Sequence, residues 1–248
     1  MAGPEFWTLA VIAAFCVGLS KGGAPSFGAL AVPILSLSIS PIAAAGLLLP
    51  VFLFSDIFGV ATYRRYANWA VLRIAAIGIV IGTGIGWATA HLVSDTIVRI
   101  LIGVIGVSFA LNFIRMSGHV RAERAPGRTA GLFWSGVAGF TSFVSHSGAP
   151  PWQVWAVPLG LPKMVFAGTS TFAFALMNVL KIGPYWALGQ LSLGNLWTGA
   201  ILFVPAIAGV LTSYVLIQRL PTRVFYGIVT WALLAVSLKL LWDGIAGL

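Results

Sequence analysis

The chain has 248 residues, 59% of them hydrophobic and only 8% charged, with a net charge of +9. A mean hydropathy of +1.01 excludes a soluble globular domain, and the apolar runs reach membrane-spanning length, so the sequence reads as an all-α polytopic membrane protein. A basic excess can signal nucleic acid, but no basic cluster is interleaved with aromatics in a soluble segment; nucleic acid is excluded as a partner and lipid is expected.

Residues 1 to 14 contain no Lys or Arg. The first apolar run therefore lacks the basic n-region of a cleavable signal peptide and is expected to stay in the mature chain. Short helices are expected over 6–19 and 27–39, split by Lys21-Gly22-Gly23-Ala24-Pro25. At roughly 20 Å each, neither spans the bilayer comfortably. After Ser40-Pro41 come full spans at 42–62, 69–90 and 97–115, punctuated by Tyr63-Arg64-Arg65-Tyr66 and by Ser94-Asp95. Within the second of these, Gly78 and Gly82-Thr83-Gly84-Ile85-Gly86 give the small-residue spacing of close helix packing rather than a nucleotide loop. The plan then repeats, with short pieces at 131–144 and 152–160 and spans at 164–184, 196–217 and 224–242. The expected organisation is a first transmembrane repeat over 1–116, a basic cytoplasmic linker over 117–129 and a second repeat over 130–248. Trp7, Trp69, Trp87, Trp186, Trp197 and Trp242 fall near span ends, as interfacial anchors do.

The repeat is explicit in the residues. Ser20 to Leu35 returns 125 positions later as Ser145 to Gly160, with seven of sixteen positions identical, where chance would give roughly one or two. In both copies a Gly- and Pro-containing polar break interrupts apolar sequence, which a membrane tolerates only where the backbone is buried in protein or lines a cavity. Arg64, Arg65 and Arg73 share a side with Arg115, Arg121, Arg124 and Arg128, which marks that side as cytoplasmic. In the second half the loop from Tyr185 to Asn195 is uncharged and the basic residues move to Gln218-Arg219-Leu220-Pro221-Thr222-Arg223. Opposite bias in homologous halves implies an inverted repeat, with an odd number of crossings per half and both termini outside. Three spans plus a re-entrant pair of short helices satisfy that parity, and so do five complete crossings.

Inverted repeats place a site near the midplane, where the broken helices meet. Lys21 and His146 occupy equivalent positions, and the amides after Gly22, Gly23 and Gly148 point to one cavity beside Pro25 and Pro150. Unpaired N–H groups at such breaks bind anions. A Lys at membrane depth needs a partner or a cavity; the plainer alternative is a Lys that snorkels to the interface. Asp56 is the lone acid within an apolar span, matched by Asn178 at an offset of 122, and Lys181 lies one turn further on. It is a candidate ion-pair or proton-coupling residue, and a structural pair with Lys21, Lys181 or Arg64 is the alternative. Cys16 reads as core packing, and His91, His119 and His146 offer no metal-ligand spacing with it, so no metal or other cofactor is called for. Ser145-His146-Ser147 lacks the third group an intramembrane hydrolase would need, so no catalytic residues are assigned.

Several of these stretches together resemble the TauE/SafE family of anion exporters. They are Gly18-Leu19-Ser20-Lys21-Gly22-Gly23 with Ala31-Val32-Pro33, and Gly139-Phe140-Thr141-Ser142-Phe143 running on to His146, then Gly148-Ala149-Pro150-Pro151. Gly168-Thr169-Ser170, Asn178, Lys181, Pro184-Tyr185 and Leu188-Gly189 complete the set. The resemblance implies export of a small sulfur anion, such as sulfite or a sulfonate like sulfoacetate, across the bacterial cytoplasmic membrane. The expected mechanism is a secondary transporter with alternating access. Lys21 supplies charge, Ser20, Ser145, Ser147 and the glycine amides donate hydrogen bonds, and Asn178 and Gln153 orient the substrate. His146 shares or senses a proton, with protons as the coupling ion. The competing readings are a passive anion channel with the same lining and a non-transporting membrane subunit. Homo-oligomer formation stays open.

Overall fold

The structure, a computed structural model, describes residues 3–21, 25–92, 94–116, 127–219 and 222–247. Helices dominate it, and no strand occurs among the described residues. The first half comprises α1 (Pro4–Ser20), α2 (Gly28–Leu35), α3 (Pro41–Tyr63), α4 (Trp69–Ala88) and α5 (Asp95–Met116). The second comprises α6 (Arg128–Ser145), α7 (Ala149–Ala156), α8 (Lys163–Leu180), α9 (Ile182–Ala187), α10 (Leu193–Arg219) and α11 (Thr222–Ala246). Segments at Pro41–Tyr63, Trp69–Ala88, Asp95–Asn112, Met164–Ala187 and Leu193–Ser213 are long and apolar enough to cross a membrane.

Helix starts follow local chemistry. Ser40 accepts the Ala43 N–H ahead of Pro41 at the opening of α3, and Asn68 accepts the N–H groups of Ala70 and Val71 at the opening of α4. The short pieces differ from expectation in length. Helix α1 is 17 residues and α2 only 8, because Ser36 and Ser38 hydroxyls turn back onto the carbonyls of Val32 and Leu35 and close the helix early. Helix α7 begins three residues before the expected 152, since Pro150 and Pro151 occupy the first turn, where no N–H is needed. At 8 residues each, α2 and α7 are about 12 Å long, too short to cross. The expected single span at 164–184 is divided at Lys181 into α8 and α9, because the Pro184 ring excludes a normal bond to the Leu180 carbonyl. Most of the expected linker, 117–126, with His119, Arg121 and Arg124, lies outside the described residues.

The most extensive pairings join the two halves: α4 with α6, α1 with α10, and α5 with α11. Helix α3 packs on α10 and α8 on α4, while α3 and α8 meet each other. Exchanging α1 with α6, α3 with α8, α4 with α10 and α5 with α11 maps each of these pairings onto another or onto itself. The close crossings rest on glycine. A Cβ on Gly18 would stand 2.0 Å from the Ala206 carbonyl oxygen, and one on Gly82 would stand 1.9 Å from that of Gly136, so the backbones touch directly. The outer surface is apolar, as lipid requires: Trp197, Val204 and Leu211, spaced seven residues apart, form an exposed stripe on α10. Trp69, Trp87, Trp186, Trp197 and Trp242 are exposed near helix ends, whereas Trp7 is half-buried.

Candidate functional site

The two breaks and the middle of α8 border a small, partly open cavity. Ser20, Lys21, Pro25 and Gly28 line it from the first break, Ser142, His146 and Ala149 from the second, and Phe52 from α3. The rest of the wall is one stripe of α8, Ala167, Ser170, Thr171, Phe174 and Asn178, whose three- and four-residue spacing puts all five on one helix face. Small and hydroxyl-bearing residues on that stripe leave the space open, and the aromatic rings of Phe52 and Phe174 bound it.

A chain of polar contacts runs behind this wall. Lys21 Nζ lies 2.6 Å from Asp56 Oδ1, with both side chains buried. Asn178 Nδ2 donates to Asp56 Oδ2 at 2.7 Å, and Lys181 Nζ donates to Asn178 Oδ1 at 3.1 Å. Lys181 Nζ also meets His146 Nδ1 at 2.8 Å, and His146 Nε2 meets the Ala45 carbonyl oxygen at 3.1 Å. Carbonyl and carboxylate oxygens only accept, so the network fixes its own orientation. His146 carries hydrogen on Nε2, and the Asn178 amide presents NH₂ to Asp56 and oxygen to Lys181. Phe52 ties the breaks together: the His146 ring stacks on it at 4.4 Å between centroids, and Lys21 Nζ stands 5.2 Å from its centre.

Backbone geometry aims His146. It ends α6 with φ 55 and ψ 18, a left-handed residue, while Ser147 N–H closes on the Thr141 carbonyl. A non-glycine residue in that region costs about 1 kcal/mol or more and is held by surrounding contacts. Lys21, its counterpart, ends α1 in a right-handed conformation.

The sequence-expected residues thus divide into groups. Ser20, Lys21, Pro25, His146 and Asn178 line the cavity, and Asp56 and Lys181 are bonded to them from behind. Ser145 and Ser147 are buried but absent from the lining, Ser145 Oγ donating to Thr141 O and Ser147 Oγ to Ser145 O. Gly148 packs against Ala138 and Ser142, and Pro150 serves as a helix start. Gln153 is half-buried on α7 and outside the lining, while Gly22 and Gly23 lie outside the described residues. Asp56 takes Lys21 as its partner, one of the pairings the sequence had left open. Sequence reasoning missed Phe52, Ser142, Ser170 and Thr171 as wall residues. The available signal was helical spacing, one turn from Phe52 to Asp56 and from Ser142 to His146, and two turns from Ser170 and Thr171 to Asn178. Trp152, fully buried, donates its indole N–H to Ser170 Oγ at 2.8 Å and so braces the wall without lining it. Among the described residues no three His, Cys, Asp or Glu side chains converge as a metal site.

A bundle of apolar helices, several of them long enough to cross a membrane, with a buried ion pair beside a cavity, is the architecture of a multi-pass membrane protein. The family model for the sulfite exporter TauE/SafE matches residues 10–240, and the chain belongs to that family. Membership makes it a membrane transport protein of a family that exports sulfur anions, and not a member of an enzyme family. No curated protein and no solved structure matches the chain.

Proposed function

We propose that the protein exports a small sulfur-containing anion across the bacterial cytoplasmic membrane by alternating exposure of the cavity between its two breaks. The observation that carries this reading is the cavity itself: a space at the bundle centre walled by Lys21, His146 and the hydroxyl-bearing Ser20, Ser142, Ser170 and Thr171. The Lys21 ammonium and the hydroxyls of Ser142, Ser170 and Thr171 around a small volume are the chemistry an oxyanion needs in place of its water shell, whereas the Ser20 hydroxyl is spent on the Val17 carbonyl at 2.6 Å. The exchange of helix partners between the halves supports a twofold-related repeat, and their opposite charge bias supports an inverted one with both termini outside and one half rocking against the other. Protons are the proposed coupling ion, with Asp56 and His146 as the groups in contact with the site that can carry one. The test is sulfite efflux from proteoliposomes under an imposed proton gradient. The parent should release sulfite against its own gradient and Lys21→Ala should fall to the rate of empty vesicles; Lys21→Ala efflux at the parental rate refutes the assigned site.

A further inference from the structure

Each half carries one bonded pair of ionisable side chains at the same spacing. Lys21 and Asp56 are 35 residues apart, and so are His146 and Lys181. The offset of 125 that relates Ser20 to Ser145 therefore puts Lys181 where the first half has Asp56. The first pair is base with acid; the second is base with base.

The geometry limits the charge of the second pair. Two nitrogens 2.8 Å apart form a hydrogen bond only if one offers a lone pair, so His146 and Lys181 together hold no more than one positive charge. Lys21 and Asp56 cancel. Of the five acidic residues in the chain, Asp56 is the one buried carboxylate among the described residues. The second half thus holds at most one positive charge, completely buried with Lys181, and no buried carboxylate of its own to answer it among the described residues. Asn178 reaches Lys181 with a neutral oxygen and spends its N–H on Asp56.

We propose that Lys181 carries that single positive charge and that the transported anion supplies the negative charge answering it, so that the site is matched to one net negative charge. This rests on the export reading above and narrows it. Hydrogensulfite or a singly charged sulfonate fits, whereas sulfate and a doubly charged sulfonate such as sulfoacetate leave a buried charge uncompensated. The anion sits against His146, which passes the influence of Lys181 to the cavity through their shared hydrogen bond.

The test uses methanesulfonate and sulfate, tetrahedral ions of similar size that carry one and two charges, as competitors of sulfite counterflow in proteoliposomes. Methanesulfonate should compete on the order of tenfold better than sulfate, the effect of one unmatched charge in a partly shielded site. Lys181→Gln, which removes the surplus cation, should abolish methanesulfonate competition. Asp56→Asn, which raises the surplus to two, should move the preference toward sulfate by about tenfold. The comparison on the parent needs no variant, so a substitution that fails to fold does not remove the test. Sulfite counterflow with equal competition by both ions overturns the charge match and leaves export standing. A parent with no counterflow of sulfite or methanesulfonate overturns both.

Discussion

The Lys21–Asp56 pair makes the sharpest demand on the energetics. Its atoms are 2.6 Å apart and the two side chains are only 5% and 6% exposed, so neither charge can turn to water when the other is removed. Breaking such a pair from one side costs about 3–5 kcal/mol, whereas replacing both members together is close to neutral. Lys21→Met should therefore strand the Asp56 carboxylate on the single Asn178 donor, and Asp56→Asn should strand the Lys21 ammonium against the Phe52 ring. In the double variant both stranded charges disappear, and Asn at position 56 still offers an oxygen to Asn178. The expected coupling between the substitutions is the sum of the two single costs, about 6 kcal/mol or more in the unfolding equilibrium. Denaturant unfolding of the purified protein in micelles, followed by tryptophan fluorescence, measures all four corners of the cycle. Additivity within about 0.5 kcal/mol would refute the buried pair and return Lys21 to the membrane interface.

Two further predictions concern the scaffold. Gly82→Val should destabilise by about 1–3 kcal/mol or more, since its Cβ would meet the Gly136 carbonyl oxygen at 1.9 Å, whereas Gly84→Val, on the same helix with nothing within 4 Å, should be neutral; thermal unfolding of both variants decides. His146→Gly should be more stable than His146→Ala by about 1 kcal/mol, because both delete the imidazole and only glycine is at ease at φ 55. Equal melting temperatures for that pair would mean that the left-handed turn is absent.

Much of the architecture was legible because the signals were local. Pro41, Asn68 and Ser94 mark helix starts through groups within four residues of themselves, and apolar runs between them have the length of spans. The identical Ser, Gly, Ala and Pro positions of the two breaks located both ends of the cavity, and Lys21, His146, Asp56, Asn178 and Lys181 do meet there. What stayed hidden depends on which helix faces which. Ser170 and Thr171 are ordinary residues of an apolar helix until α8 is known to pass both breaks. Internal alignment was also ambiguous near the site. Tyr63 and Tyr185 give an offset of 122, which matches Asp56 to Asn178, while the bonded spacing of 35 in each half matches Asp56 to Lys181. A shift of three residues is nearly one helical turn, so both choices leave the apolar pattern intact and only the bonds discriminate.

The two sequence repeats do not correspond to separate packing units. Helix α1 finds its main partner in α10 and α6 in α4, so each half inserts its broken helix against a span of the other. Isolated, residues 1–116 would expose the backbone-close face around Gly18 that Ala206 covers, and residues 130–248 would expose the face of Gly136 that Gly82 covers. Neither face can be refilled by lipid chains, because the contacts are backbone against backbone at a distance that side chains and acyl chains cannot reach. Each half expressed alone should therefore be degraded or aggregate, whereas the two co-expressed as separate chains should assemble and co-purify. A half that is stable alone, by size exclusion and protease resistance in micelles, would show that the interlocked pairing is not what holds the bundle. The same interlocking makes the cavity a joint product. Lys21 and Asp56 come from one half, His146, Lys181 and the α8 stripe from the other, so relative movement of the halves must alter the site itself.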